Sequence, residues 1–244
     1  QRILISDLLE AGSPKTAYAV ASRNTAQSPV KRMDAEFYAG WIALRKLKAP
    51  GSAAKHFARL LAIAEKPLSR SRGHYWLGRA LSANGQKGDA KKQFAKAAKF
   101  DTTFYGQLAA ARIGRSSINV SKARPTGSDR ARFPKYELVQ AIYKLESAGH
   151  ESRAKPFYNF LAHHLDRPGE LALLAARAER QGDYRLSLQV GKRAHYRGSS
   201  ADTLAWPLGA IPRDTKTSGA GLPLAYAIAR QESAFQVDAR SSAN

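Results

Sequence analysis

Cysteine is absent from the sequence. Disulfides and thiolate metal sites are thereby excluded, and the chain is compatible with an oxidising compartment without requiring one. No apolar run approaches the ~18–20 residues that a bilayer span needs, so no transmembrane segment is expected. Glycine-rich phosphate loops are missing, and with them the nucleotide chemistry they support. None of the six histidines stands in a His-Glu-x-x-His arrangement. Adjacent His163 and His164 would point about 100° apart on a helix. Neither a metal nor a cofactor is expected, and no residue is assigned to one. The opening stretch "QRILISDLLEAG" has no basic start, long apolar centre or small-residue cleavage site. It reads as the start of a cytosolic chain or of one whose leader has been removed.

Acidic residues are also scarce. There are 19 Asp and Glu against 40 Lys and Arg, a net charge of +21 over 244 residues. A field of that sign draws anionic partners such as nucleic acid, anionic lipid or a polymer carrying carboxylates. The cations are scattered rather than clustered with interleaved aromatics, which argues against nucleic acid. The plainer alternative is a set of solvated basic helix faces.

What the chain does have is a globular share of apolar residues, 43%, repeating at i, i+3 and i+4. Leu77, Gly78 and Leu81 share one helical face, Asn84-Gly85 breaks it, and Ala90, Phe94 and Ala97 follow. Small residues at Gly78 and Ala90 would let two antiparallel helices approach, with Phe94 between them. Similar pairs join Phe37, Trp41 and Leu44 to Ala53, Phe57 and Leu60 through Pro50-Gly51. Leu138, Ala141, Ile142 and Leu145 are joined to Ala154, Tyr158 and Leu161 through Ala148-Gly149. Leu171, Leu174, Ala175 and Ala178 are joined to Ser187 and Ala194 through Gln181-Gly182. The expectation is an all-α array of tetratricopeptide-like helix pairs, in which one pair alone cannot bury its apolar face.

Two stretches interrupt the array. "GRSSINVSKARPTGSDRARFP", from residue 114 to 134, reads as a long loop. "RGSSADTLAWPLGAIPRDTKTSGAGLP", from 197 to 223, reads as a linker, with Pro223 opening a new helix. The expected division is helical repeats over 1–115, a basic loop over 116–133, repeats over 134–200, a linker over 201–222 and a separate segment over 223–244.

In that last helix Leu224, Ala227, Ile228 and Phe235 form an apolar stripe. Glu232 lies about 40° from Ile228 and is expected on the same, buried face. A carboxylate that loses solvation holds its proton more tightly, which suits a general acid at neutral pH. Pairing with Arg230 in a purely structural role is the alternative. Asp238 is expected in a turn beyond the helix, which leaves Glu232 without the second carboxylate of two-carboxylate glycosidases.

The segment "AIARQESAFQVDARSSAN", residues 227–244, resembles the first catalytic motif of the soluble lytic murein transglycosylases. "TTFYGQLAAARIG" at 102–114 is similar to a stretch in the helical part of that family, and "AWPLGAIP" at 205–212 to its aromatic-proline linker. The resemblance implies a curved or ring-like α-superhelix followed by the start of a lysozyme-like domain, in a periplasmic enzyme acting on peptidoglycan. It further implies cleavage without water of the β-1,4 bond between N-acetylmuramic acid and N-acetylglucosamine, leaving 1,6-anhydromuramic ends. Glu232 would be the catalytic acid and then base, and Ser233 would orient it or contact substrate. The family motif continues into Gly-Leu-Met-Gln and the rest of a lysozyme-like domain. The present chain is therefore expected to be an inactive N-terminal piece. Other cell-wall proteins are possible partners of the helical repeats.

Several features stay open between function and packing. Trp41, Trp76, Tyr75 and Tyr105 would either line a sugar-binding face or pack between repeats, and Trp206 would dock the catalytic domain against the superhelix. Ser-x-x-Lys at Ser28–Lys31 and Ser152–Lys155 lacks its companion motifs and reads as chance. A non-catalytic repeat scaffold binding proteins or peptidoglycan is the competing function.

Overall fold

The computed structural model describes residues 2–23, 25–199 and 201–240. All regular structure among them is helical, as the periodicity requires. The helices form two compact units, Gln1–Asn119 and Val120–Asn244.

The first unit contains α1 (Arg2–Glu10), α2 (Pro14–Ser22), α3 (Pro29–Arg45), α4 (Pro50–Ile63), α5 (Pro67–Ala83), α6 (Lys87–Ala97) and α7 (Phe104–Arg112). Each helix packs on the next. Four of them, α2 to α5, open on proline, where the missing N–H belongs to a group that has no partner inside the helix anyway. Pro50-Gly51 is accordingly not the turn expected from the sequence. Pro50 starts α4, and the chain reverses just before it, with Lys48 in the left-handed region at φ 54°.

The helix pairs close on one recurring device. A methyl group on Gly78 would come within 2.8 Å of the Phe94 ring, and one on Gly40 within 2.8 Å of the Phe57 ring. In α3/α4 and again in α5/α6, a bare backbone receives a phenyl group from the partner helix. Phe57 is fully buried and Phe94 nearly so. Ring contacts continue from Phe37 and Phe57 to Trp76, then to Tyr75, Phe94 and Tyr105.

The second unit contains α8 (Gly127–Arg132), α9 (Glu137–Ser147), α10 (Glu151–His164), α11 (Pro168–Arg180), α12 (Tyr184–Tyr196) and α13 (Gly221–Glu232), with 3-10 turns at Phe133–Lys135 and Asp202–Ala205. Gly149 and Gly182 follow α9 and α11 with φ 73°, a backbone conformation that ends a helix and favours glycine. Val139, Ile142, Tyr158, Leu171, Leu174 and Val190 form the centre of its core.

Two expectations change here. Residues 127–132, assigned to a loop, are helical because Thr126 and Asp129 make a reciprocal capping box. The front half of the 197–223 stretch is not a free linker. Ala201 and Ala205 are fully buried, and the 3-10 turn packs on α12 at Gly191, where any β-carbon would collide with the Leu204 carbonyl. Asp202 fastens the same turn to the preceding loop, accepting hydrogen bonds from the backbone N–H and hydroxyl of Ser121. Among the described residues no helix is long and apolar enough to cross a membrane.

Candidate functional site

Helix α13 is anchored by its polar and aromatic side chains rather than by its leucine and isoleucine. The Tyr226 hydroxyl accepts from the backbone N–H of Gly209 at 2.8 Å and of Ile211 at 3.2 Å, and donates to the Ile211 carbonyl at 2.9 Å. Arg230 donates through Nε to the Ala205 carbonyl at 2.8 Å and lies over the Trp206 ring, 5.2 Å from its centroid. Trp206, Tyr226 and Arg230, with Pro207, Pro223 and Phe235, line an open cavity of about 220 Å³. At 100° per residue, Pro223, Tyr226, Ala227 and Arg230 span an arc of about 100°, the face that lines this cavity, docked through Tyr226 and Arg230.

Leu224, Ile228 and Glu232 lie roughly opposite. Leu224 is 49% and Ile228 54% exposed, and Glu232 is exposed with them. The buried setting expected for Glu232 is therefore not formed by the described residues. The physical cause is the set of free backbone groups in the 205–211 segment. They demand hydrogen-bonding partners, and Tyr226 and Arg230 supply them, turning the aliphatic stripe outward. Arg230 consequently faces the linker and does not neutralise Glu232. Among the described residues the Glu232 carboxylate makes no hydrogen bond or ion pair.

The helix ends at Glu232. The Ser233 hydroxyl donates to the Ala229 carbonyl at 3.1 Å, which also accepts the Ser233 backbone N–H at 3.2 Å. Ala234 and Phe235 then adopt left-handed backbone conformations, φ 52° and 65°. For residues with a β-carbon this costs roughly 1–2 kcal/mol each. A backbone bond from Phe235 N–H to the Ala229 carbonyl and an edge contact between the Phe235 and Tyr226 rings, centroids 5.8 Å apart, hold the reversal. Phe235, expected in one buried stripe with Leu224 and Ile228, is in this way folded back to the Tyr226 side, away from them. Asp238 lies in a turn beyond.

Trp206 lies between two helices, its ring edge-on to His195 of α12 and its face under Arg230 of α13. It joins α13 to α12 through these two contacts. Tyr75 and Trp76 are buried in the first unit, and Trp41 and Tyr105 pack on the same core, so packing rather than a sugar-binding face accounts for all four. The histidines are used locally. His56 is held by Glu36 and Tyr18, His74 by Gln93 and His195 by Asp202.

Sequence reasoning missed the cavity. Its signal lay in spacing: Pro223, Tyr226, Ala227 and Arg230 recur at i, i+3, i+4 and i+7, a face hidden because two of its members are polar. Comparison of the chain with protein-family models, with curated proteins and with solved structures returned no match.

Proposed function

We propose that this chain is the helical and linker portion of a murein lytic transglycosylase, with Glu232 as its acid and base. The observation that carries the proposal is the Arg230-Gln231-Glu232-Ser233-Ala234-Phe235 segment, the specific part of the resemblance, placed at the end of an anchored helix with its carboxylate free. Glu232 would protonate the glycosidic oxygen as the bond to the anomeric carbon breaks. The neighbouring N-acetyl group would stabilise the cationic centre. The same carboxylate would then take the proton from the C6 hydroxyl as that oxygen closes the anhydro ring. Ser233, bonded to the Ala229 carbonyl, would fix the helix end that presents the acid. A net charge of +21 favours approach to the stem-peptide carboxylates of peptidoglycan. A periplasmic setting follows from the same proposal.

Glu232 is exposed among the described residues, and a general acid needs a groove to hold substrate and lose solvent. Turnover therefore requires the remainder of a lysozyme-like domain over the exposed Leu224, Ile228 and Glu232 face. The test is Glu232→Gln in a chain that carries such a domain. The expected result is loss of nearly all anhydromuropeptide release, with glycan binding retained. An unchanged rate overturns the proposal. The second reading, a non-catalytic repeat scaffold, draws on that same exposure of Glu232 and predicts no effect of the substitution.

A further inference from the structure

At one place in the first unit cations converge with no acid among them. The ends of α5 and α7 and the start of α6 meet at an open cavity of about 430 Å³, where Lys87, Lys91 and Arg112 stand over a floor of Ala90, Phe94 and Ile113. No acidic residue lines it. Among the described residues none of these three cations pairs with a carboxylate. Asp89 lies about 160° round α6 from both lysines and is taken by Lys92 at 3.0 Å. Lys87 and Lys91 are four residues apart, a spacing at which like charges destabilise a helix, and Lys87 is the first residue of α6, at the positive end of its dipole. Arg112 lies over the Phe94 and Tyr75 rings, 5.5 and 5.8 Å from their centroids, and spends only its Nε on a long bond to the Tyr75 hydroxyl at 3.4 Å. Burial would raise the Tyr75 pKa, yet it is lowered, because Arg112 and Arg79 stand at the hydroxyl. The positive field at this end of the hairpins outweighs desolvation.

We infer that this cavity docks an extended acidic segment of a partner protein, one with carboxylates at alternate residues. Charge complementarity selects the acid, and spacing selects the extended form. Lys87 and Lys91 are about 6 Å apart along α6. Side chains on one face of an extended chain recur every ~6.6 Å, so two carboxylates at alternate residues meet both lysines. The terminal nitrogens of Arg112 offer a fork to a third carboxylate. Ala90, Phe94 and Ile113 receive the methylene groups between them. A single small anion is a poorer occupant. All three cations are exposed, so one ion would stay hydrated and screened, whereas a ligand that meets several cations at once gains from each. Nucleic acid is a poorer occupant too. The ring at the cavity, Phe94, is 7% exposed and packed on Gly78, which leaves no face for a base to stack on. The inference concerns the first unit alone and is independent of the role proposed for Glu232.

The experiment titrates the 244-residue chain into a capped, fluorescein-labelled peptide alternating Glu and Thr, followed by anisotropy. The probes beside it are the same peptide with Gln for Glu, an isomer with its Glu residues grouped at one end, inorganic phosphate and single-stranded oligothymidylate. The alternating acidic peptide should bind most tightly, and the Gln peptide should not bind. Lys87→Gln and Lys91→Gln, both at exposed positions without bonds to lose, should each weaken the complex about two- to fivefold, and together about tenfold. Lys55→Gln, an exposed position on α4, removes the same charge elsewhere and should leave affinity unchanged. In ¹⁵N spectra the peptide should shift the amides of Ala90, Lys91 and Ile113. An equal loss with Lys55→Gln would reduce the binding to general attraction by a basic protein and overturn the inference. So would shifts confined to the second unit, equal binding of the grouped isomer, or displacement of the peptide by phosphate at matched charge concentration. Oligothymidylate binding as tightly, with the same dependence on Lys87 and Lys91, would make the surface one for nucleic acid and overturn it as well.

Discussion

The α3–α6 hairpins and the α9–α12 hairpins solve one packing problem with different chemistry. In the first, Phe57 and Phe94 press into the glycine surfaces of Gly40 and Gly78, and the rings of Phe37, Tyr75 and Trp76 extend the contact. In the second, carboxylates do much of the joining. Glu146 of α9 accepts from the Tyr158 hydroxyl of α10 at 2.7 Å and pairs with Arg177 of α11, which lies 3.8 Å over the Tyr143 ring. Glu170 and Asp129, each 2% exposed, share Arg132, with Tyr136 and Arg167 completing the set. Apolar rings tolerate a change of charge state but not loss of volume. Buried carboxylates tolerate neither loss of their partner nor acid. Similar architecture thus implies different weaknesses.

The largest effect should come from volume. Phe57→Ala removes a fully buried ring facing a glycine that cannot fill the gap, and should cost about 3–5 kcal/mol in urea unfolding. A loss below about 1 kcal/mol would show that the ring–glycine contact is not what holds α3 to α4. Next comes Glu146→Gln, which leaves the Arg177 guanidinium with a neutral partner; about 3 kcal/mol is expected. The double change Glu146→Leu with Arg177→Met should be milder than either single change, because it removes both charges together. If the double variant is the worse one, the pair is a net stabiliser and the contrast with the aromatic hairpins weakens.

Acid should separate the two units. Burial pushes the His56 and His74 pKa values below the usual 6.5, so the unfolded chain binds protons that the folded one does not. The stability they contribute is present above about pH 6.5 and is lost as pH falls through their folded-state values. The exposed His163 of the second unit, lowered by burial and by Arg193, adds the same sign but is screened by solvent. In the second unit the Asp129 pKa is lowered from 3.8 to about 2, first by the Thr126 backbone N–H and then by Arg167. Its contribution is present above the unfolded value and disappears between about pH 4 and about pH 2. Urea unfolding at a series of pH values, followed by 5-fluorotryptophan resonances, distinguishes them: Trp41 and Trp76 report the first unit and Trp206 the second. The first unit should weaken from pH 6.5 downward and the second mainly below pH 4. Asp129→Asn should flatten the lower step. A single loss common to all three probes would end the distinction.

Helix pairs were legible in the sequence because two periodic signals agree. Apolar residues at i, i+3 and i+4 fix the inner faces, and Gly85, Gly149 and Gly182 mark the ends. Errors arose where one residue type serves two purposes. Pro50 suits both a turn and a first helical position, and the need of Lys48 to turn left-handed is invisible from its identity. The Ser, Gly and basic residues of 114–134 suggest loop, yet Thr126-x-x-Asp129 is a helix start within it. At the candidate site the type and end of α13 were readable but its orientation was not. Leu224 and Ile228 look inward by hydropathy. The decision was made by open backbone groups at Gly209, Ile211 and Ala205, and sequence does not reveal which backbone groups will be left without partners.

Two threonines give the smallest and most local test of the contrast. Thr103 caps α7 in the first unit, its hydroxyl accepting from Gly106 N–H at 3.1 Å and donating to the Phe100 carbonyl at 2.9 Å, at 4% exposure. Thr126 caps α8 in the second, accepting from Asp129 N–H at 3.1 Å, but is exposed. Loss of a capping side chain costs about 1 kcal/mol where water can take its place, and more where the orphaned group stays dry. Thr103→Ala should therefore destabilise more than Thr126→Ala, and Thr→Ser at either site should restore most of the loss. Amide exchange at Gly106 and Asp129 reads each cap directly. Equal acceleration at both would mean that water reaches α7 as readily as α8, and that the first unit is no drier at its helix ends than the second.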